Sequence, residues 1–178
     1  MSPESDRSAL LTWGVAHLAE LEALARKRRL RVEADEKVVK AERERVLTPL
    51  QDRKRYYDLP AKVFEDRIRQ LMATYVGFAR NEDGLKLGVQ KLEDLKGWIP
   101  NLKARNFHEL LRANEAVNLL DSCRLIARAA LERKETRLGL YHNRSDYPEK
   151  DDVNFKKFII LKRAGDGIDV SFRPVDEV

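Results

Sequence analysis

The sequence predicts a mainly α protein: an antiparallel helical bundle around one long spine helix, finished by a short C-terminal β-hairpin. Three observations predict it. Charged residues make up 37% of the 178 positions while glycines number eight and prolines six, a composition of long solvent-edged helices rather than of a many-turned β-sandwich. Apolar residues recur three or four apart along most of the chain. Beyond residue 152 that spacing gives way to two runs of β-branched and aromatic residues around Gly165-Asp166-Gly167.

The length fits one domain, or one domain with an appendage, and 43% apolar residues supply a core of that size. Thirty-five basic residues against 30 acidic ones leave a net charge of +5, with both signs interleaved. So small an excess argues against a nucleic-acid partner. Cys123 is the single cysteine, which rules out an internal disulfide, and its place between Leu120 and Ile126 suits a core thiol in a reduced, cytoplasmic setting. No run of roughly 18 apolar residues occurs, and Met1-Ser2-Pro3-Glu4-Ser5-Asp6-Arg7 lacks the apolar stretch of a signal peptide. The chain is therefore not expected to span a membrane.

Residues 1–60 read as an N-terminal helical segment, 61–137 as the bundle core, and 138–178 as a charged loop followed by the hairpin. Ser5 or Asp6 can cap a first helix running through Leu10, Leu11, Trp13, Leu18, Leu21 and Leu24 toward Arg28. The basic run 26–31 suits a solvated helix C-terminus and is offset at once by Glu33, Asp35 and Glu36. A second helical stretch from Asp35 to Leu47 is ended or kinked by Pro49, and Tyr56-Tyr57-Asp58-Leu59-Pro60 reads as a turn.

From Ala61, Val63, Phe64, Ile68, Leu71, Met72, Tyr75 and Val76 mark the face of the next helix, which ends near Gly77. Asn81-Glu82-Asp83-Gly84 caps its partner, which carries Leu85, Leu87, Val89, Leu92 and Leu95 until Gly97, Trp98 and Pro100 stop it. The spine helix follows from about Asn106 to Glu135, on the order of 45 Å at 1.5 Å per residue. Phe107, Leu110, Leu111, Val117, Leu120, Cys123, Ile126, Ala127 and Ala130 are expected to face the core. Asn114 and Asn118 interrupt that face and are expected to hydrogen-bond to neighbouring helices. In the hairpin, Phe155, Phe158, Ile159, Ile160 and Leu161 oppose Ile168, Val170 and Phe172. A lone hairpin is marginal in water, so it must lean on the helices, on a partner or on a second copy.

Between spine and hairpin lies the stretch that concentrates polar chemistry, residues 133–152. Arg137, His142 and Arg144 with Asp146, Asp151 and Asp152 can form a compact charge network, and Tyr141 and Tyr147 add hydroxyls and flat apolar faces. Two uses are open. The stretch can tie the end of the spine to the hairpin, or it can present an interface, for which guanidinium forks are suited because they grip carboxylates with two prongs and stack on rings. No G-x-G-x-x-G turn or P-loop occurs, so this chain is not expected to hold a dinucleotide by itself. His17, His108 and His142 fit no metal-ligand spacing, and Cys123 has no nucleophile elbow around it. No catalytic, cofactor-binding or metal residue is assigned.

Arg133-Lys134-Glu135-Thr136-Arg137, with Gly139, His142, Arg144, Asp146-Tyr147-Pro148 and Asp151-Asp152, resembles the C-terminal signature of the succinate dehydrogenase/fumarate reductase flavoprotein family, which includes L-aspartate oxidase and the adenylylsulfate reductase alpha subunit. Arg67-Ile68-x-x-Leu71-Met72, Val76-Gly77, Arg80 and Gly84-Leu85 are similar to an earlier region of the same family. The likeness covers residues 62–155 well and the hairpin loosely. Thr136 stands where serine is usual, Leu138 separates Arg137 from Gly139, and Ser145 replaces an acidic residue. The resemblance implies a helical C-terminal domain that supports a separate FAD-binding domain, in the same polypeptide or as another chain, within an FAD-dependent oxidoreductase. FAD is implied in that partner domain and not here, and the domain is not expected to be catalytic alone. The interface it implies falls on Arg137, Tyr141, His142, Arg144, Asp146 and Tyr147. A different class stands beside it: a free-standing helical protein-protein interaction module, alone or as a homo-oligomer.

Overall fold

The structure is a computed structural model that describes residues 35–165 and 167–175. The expected first helix and the basic run at 26–31 lie outside the described residues. A boundary between two compact units falls between Glu42 and Arg43.

Helix α1, Glu36–Leu47, buries none of its residues. Pro49 stops it as expected: it sits in the 3-10 turn Thr48–Leu50, where a missing N–H costs nothing because that position has no intrahelical partner. Helix α2, Ala61–Tyr75, turns Ala61, Phe64, Ile68 and Leu71 inward. That is the i, i+3, i+7 stripe of an amphipathic helix. Val63 was expected beside them but is exposed, because one residue is a rotation of about 100° around the axis. Helix α3, Glu82–Asp94, is capped by the Asn81 side chain, which accepts a hydrogen bond from the Gly84 N–H at 2.8 Å. It buries Leu85, Gly88 and Leu92. A Cβ at Gly88 would stand 2.7 Å from the Cβ of Tyr75, so only glycine lets α2 and α3 approach this closely. The 3-10 helix Leu95–Asn101, with Pro100 inside it, closes the segment.

The spine, α4, spans Phe107–Glu132 with Asn106 as its cap. At 1.5 Å per residue its 26 residues extend roughly 39 Å. Its core face is Leu110, Ala113, Ala116, Leu120, Cys123, Ala127 and Ala130. Phe107, Leu111 and Ile126, expected inside, are more than half exposed. The contact side of this helix is lined with alanines, which let α2 and α3 come close, and the helical period carries those three larger side chains round to the other side. Asn114 bonds as expected, donating to the Val46 carbonyl at 3.1 Å and the Leu110 carbonyl at 3.0 Å. Asn118 is exposed instead. Phe64, Ile68, Leu85, Leu92, Leu102 and Leu120 are completely buried or nearly so and form the centre of the core.

Two short parallel pairings, too brief to leave a periodic signal, fasten the helix ends together. Leu59–Pro60 (β1) pairs with Leu102–Lys103 (β3), and Ala79–Arg80 (β2) pairs with Asn143–Arg144 (β4). The first replaces part of the expected turn at 56–60. A single helical turn, α5, Asp152–Phe155, leads into the antiparallel hairpin of β5, Lys157–Ala164, and β6, Gly167–Pro174. Ile159, Leu161 and Val170 are half-buried, and β5 lies against α4. The bundle, the spine and the hairpin are thus all present.

Candidate functional site

Most of what the sequence singled out between residues 133 and 152 converges where α4 ends. A helix leaves its last carbonyls without partners and carries partial negative charge there. Arg144 answers both. Its guanidinium is fully buried, and Nη1 donates to the carbonyls of Ala130, Leu131 and Arg133 at 3.1, 3.3 and 3.1 Å. Its other edge grips Asp146 with two prongs, Nε to Oδ1 and Nη2 to Oδ2, each 2.8 Å. Asp146 in turn accepts the Glu82 N–H at 2.7 Å, at the N-terminus of α3 where negative charge is favoured. The Arg144 guanidinium lies over the Tyr147 ring, 5.0 Å from its centroid. The hydrogen bonds from Arg144 pull the Asp146 pKa down to about 2.

A second knot forms around Glu135, also fully buried. Arg133 Nη1 donates to its Oε1 at 2.6 Å, Arg137 grips both oxygens at 2.6 and 2.9 Å, and the Asp151 N–H donates to Oε2 at 2.9 Å. Burial alone would raise the pKa of this carboxyl; the donors, Arg137 foremost, outweigh it and hold the group ionised. Arg137 continues to Asp152 at 2.7 Å, and these two carboxylates raise its own pKa further. Arg133 continues to the carbonyls of Phe155 and Lys157 at 3.0 and 2.9 Å, which moors the hairpin to the spine.

His142 joins the knots. Arg80 Nη1 stands 3.0 Å from its Nδ1, and its Nε2 stands 3.0 Å from the Arg133 carbonyl. A guanidinium can only donate and a carbonyl can only accept, so the ring is neutral with its proton on Nε2. Burial, then the charges of Arg80, Arg133 and Arg144, lower its pKa. Arg80 also caps α2, donating from Nε to the carbonyls of Val76 and Gly77 at 3.2 and 2.9 Å. Thr136 Oγ1 lies 2.9 Å from the Tyr147 carbonyl and accepts the Arg144 N–H at 2.9 Å.

The structure therefore brings Arg137, His142, Arg144, Asp146 and Tyr147 together and leaves Tyr141 apart, 80% exposed at the loop tip. Glu135, Arg133, Arg80 and Thr136 belong to the same constellation. The signal for Glu135 was local: one acid between Arg133 and Arg137, each two residues away. Arg80 stood out only through the family resemblance, and nothing linked it to His142, 62 residues away. Both ring nitrogens of His142 are engaged, and the carboxylates of Glu135 and Asp146 accept from guanidiniums and main-chain N–H groups, so the arrangement ties the loop to the helix ends. Among the described residues no cluster of His, Cys, Asp and Glu is arranged to hold a metal ion.

Residues 65–178 match the family described as the fumarate reductase flavoprotein C-terminus. An uncharacterised FAD-dependent oxidoreductase of Methanocaldococcus jannaschii is 35% identical over 95 residues, 53% of this chain and 17% of that protein. The succinate dehydrogenase flavoprotein subunit of Coxiella burnetii is 29% identical over 119 residues, 64% of this chain and 19% of that one. Among solved structures, adenylylsulfate reductase of Archaeoglobus fulgidus superposes with a TM-score of 0.74 at 28% identity, over 80% of this chain and 25% of that chain. The chain thus spans about a fifth of the length of these curated relatives. The match to the family runs through α2, α3, α4, both knots and the hairpin, and the chain belongs to the C-terminal domain family of succinate dehydrogenase/fumarate reductase-like flavoproteins.

Proposed function

We propose that this chain supports the FAD-binding domain of a succinate dehydrogenase/fumarate reductase-like FAD-dependent oxidoreductase, in the same polypeptide or as a separate chain, and is not catalytic by itself. The observation that carries the reading is the pair of knots centred on Arg144 and Glu135. They fix the ends of α2, α3 and α4 and the start of the hairpin in one place, so the surface above them is held in shape before any partner arrives. Such preorganisation lowers the entropy cost of docking. Tyr141 would touch the flavin-binding domain, and Arg137, His142, Arg144, Asp146 and Tyr147 would hold the loop that presents it.

FAD would be held by the partner domain. In support, the guanidiniums here that could grip a pyrophosphate are taken up by Glu135, Asp146, Asp152 and main-chain carbonyls. So engaged, they do not fit a flavin pyrophosphate. Among the described residues no helix is long and apolar enough to cross a membrane. The buried thiol of Cys123 fits a reducing compartment such as the cytoplasm.

The test is recovery of the tagged chain from its own cells, with absorbance near 450 nm and mass spectrometry of what accompanies it. The expected result is an identified FAD-binding protein, or FAD-binding residues in the same polypeptide, while the 178-residue chain alone is colourless and takes up no FAD in calorimetry. Stoichiometric FAD binding by the chain alone would overturn the reading. The hairpin favours one rival, self-association, because Phe158 and Phe172 remain more than 40% exposed. A single flavin-free dimer in sedimentation at physiological salt would favour that rival.

A further inference from the structure

Leu138 is held in a conformation that no side-chain contact among the described residues rewards. Its φ and ψ are 58° and 31°, the left-handed region in which a branched side chain crowds its own backbone and which Gly, Asn and Asp occupy far more readily. Gly139 follows at φ 55°. The side chain gains nothing in compensation, being 76% exposed. Open space surrounds the neighbouring position: a Cβ on Gly139 would meet no atom within 4 Å. The base of this turn, in contrast, is firmly closed. The Arg137 N–H donates to the His142 carbonyl at 2.9 Å, the Tyr141 N–H reaches the Leu138 carbonyl at 3.3 Å, and Arg137 and His142 are each tied into the knots beneath.

We propose that Leu138 is a docking knob which, with the exposed Tyr141 three residues on in the same turn, inserts into an apolar socket on the flavin-binding domain. The inference rests on the function proposed above and names the residue that carries the contact. An apolar side chain in water and a left-handed backbone are each unfavourable, and asparagine or glycine would remove both costs at this position. Leucine is explained if its side chain is buried by something outside the domain. The chain offers the reason to look to the flavin-binding domain: it corresponds to 17–25% of the length of its flavoprotein relatives, whose remaining length must meet this domain somewhere. The tip is also continuous with the preorganised surface, so a partner seated there is met by a rigid projection.

The experiment places a photo-crosslinking amino acid at position 138 in one sample and at position 153 in another, within the full chain in its own cells. Val153 is 94% exposed and serves as the control. Products are identified by mass spectrometry, and flavin absorbance retained with the tagged chain is compared between wild type and Leu138→Asn. We expect adducts from position 138 to an identified FAD-binding protein, or to FAD-binding residues of the same polypeptide, and none from 153. Leu138→Asn should lower retention at least about tenfold, in keeping with the loss of a buried leucine, while the thermal midpoint of the chain alone stays level or rises by roughly 2–4 °C. Retention undiminished by Leu138→Asn, with adducts only from 153, would overturn this inference and leave the proposed function standing. If the wild-type chain brings down no flavin-binding protein at all, both fail.

Discussion

Arg144 and Asp146, two residues apart, form a two-pronged ion pair that joins the C-terminus of one helix to the N-terminus of another. The guanidinium caps two carbonyls of the last turn of α4 and that of Arg133 just beyond it, while the carboxylate takes the first N–H of α3, so each charge sits at the helix end that favours it. Replacing Arg144 by alanine strips Asp146 of its countercharge, leaving it only the Glu82 N–H, and takes the side-chain donor from the carbonyls of Ala130 and Leu131, while the Arg133 carbonyl keeps His142. Loss of one member of a buried, hydrogen-bonded pair costs roughly 3–5 kcal/mol. Urea melts of the full chain should show a loss of that size for Arg144→Ala, and Arg144→Lys should recover little, since an ammonium cannot span both edges. A loss under about 1 kcal/mol would show that the pair contributes no more than an exposed one does.

The same contacts predict how stability depends on pH. Asp146 titrates at about 2 in the folded chain against 3.8 ordinarily, so the unfolded chain takes up its proton first. Its contribution, on the order of 2 kcal/mol, is complete above the ordinary value and is lost as pH falls toward about 2. His142 has its pKa lowered by burial and by Arg80, Arg133 and Arg144. Protons then favour the unfolded chain below the ordinary value of 6.5, and stability should decline as pH falls from there toward the folded pKa. Glutamine can accept from Arg80 and donate to the Arg133 carbonyl without titrating. Denaturation midpoints at pH 7 and pH 5 should therefore converge in His142→Gln relative to wild type; an unchanged difference would assign the slope to other groups.

Much of this was legible in the chain and some was not, for reasons that particular residues make plain. Asn81, Asn106 and Pro49 act locally, on N–H groups a few residues away, so helix starts and stops were readable. The inward face of α4 was misjudged at Phe107, Leu111 and Ile126 because apolar residues lie on both sides of that helix and the contact side is built of alanines. The loop residues were readable as a charge network, whereas the burial of its hub Glu135 and its tie to Arg80 were not. A buried carboxylate between two arginines looks in sequence like any solvated run, and Arg80 meets His142 only through the pairing of Ala79–Arg80 with Asn143–Arg144. The left-handed turn at Leu138 left no sign at all, since leucine gives no hint of it.

Leu120 sits at the middle of the spine with no exposed surface and contacts from the core cluster on its inward side. Leu120→Ala should cost roughly 2–5 kcal/mol, the transfer of the lost methyl groups plus the cavity left behind. Chemical denaturation reads the loss directly. A value below about 0.5 kcal/mol would mean that neighbouring side chains collapse into the space, which the alanine-lined contact face makes difficult.

Glu135 offers the sharpest test of what moors the hairpin. Its carboxylate holds Arg133, and Arg133 reaches the carbonyls of Phe155, at the end of α5, and Lys157, the first residue of β5, so the start of the hairpin depends on a charge 22 positions upstream of Lys157. Glu135→Gln keeps the shape but removes the charge, and one oxygen becomes a donor that faces guanidinium and N–H groups which themselves only donate. Global stability should fall by roughly 3–5 kcal/mol, as for a broken buried pair. Hydrogen exchange should rise first across β5 and β6, while the inner turns of α2 and α4, packed by Phe64, Ile68 and Leu120, exchange only with global unfolding. Uniform acceleration over hairpin and helices alike would show that the two are one cooperative unit and that Arg133 is not its hinge point. Protection retained in β5 would show instead that its half-buried face on α4 suffices to hold it.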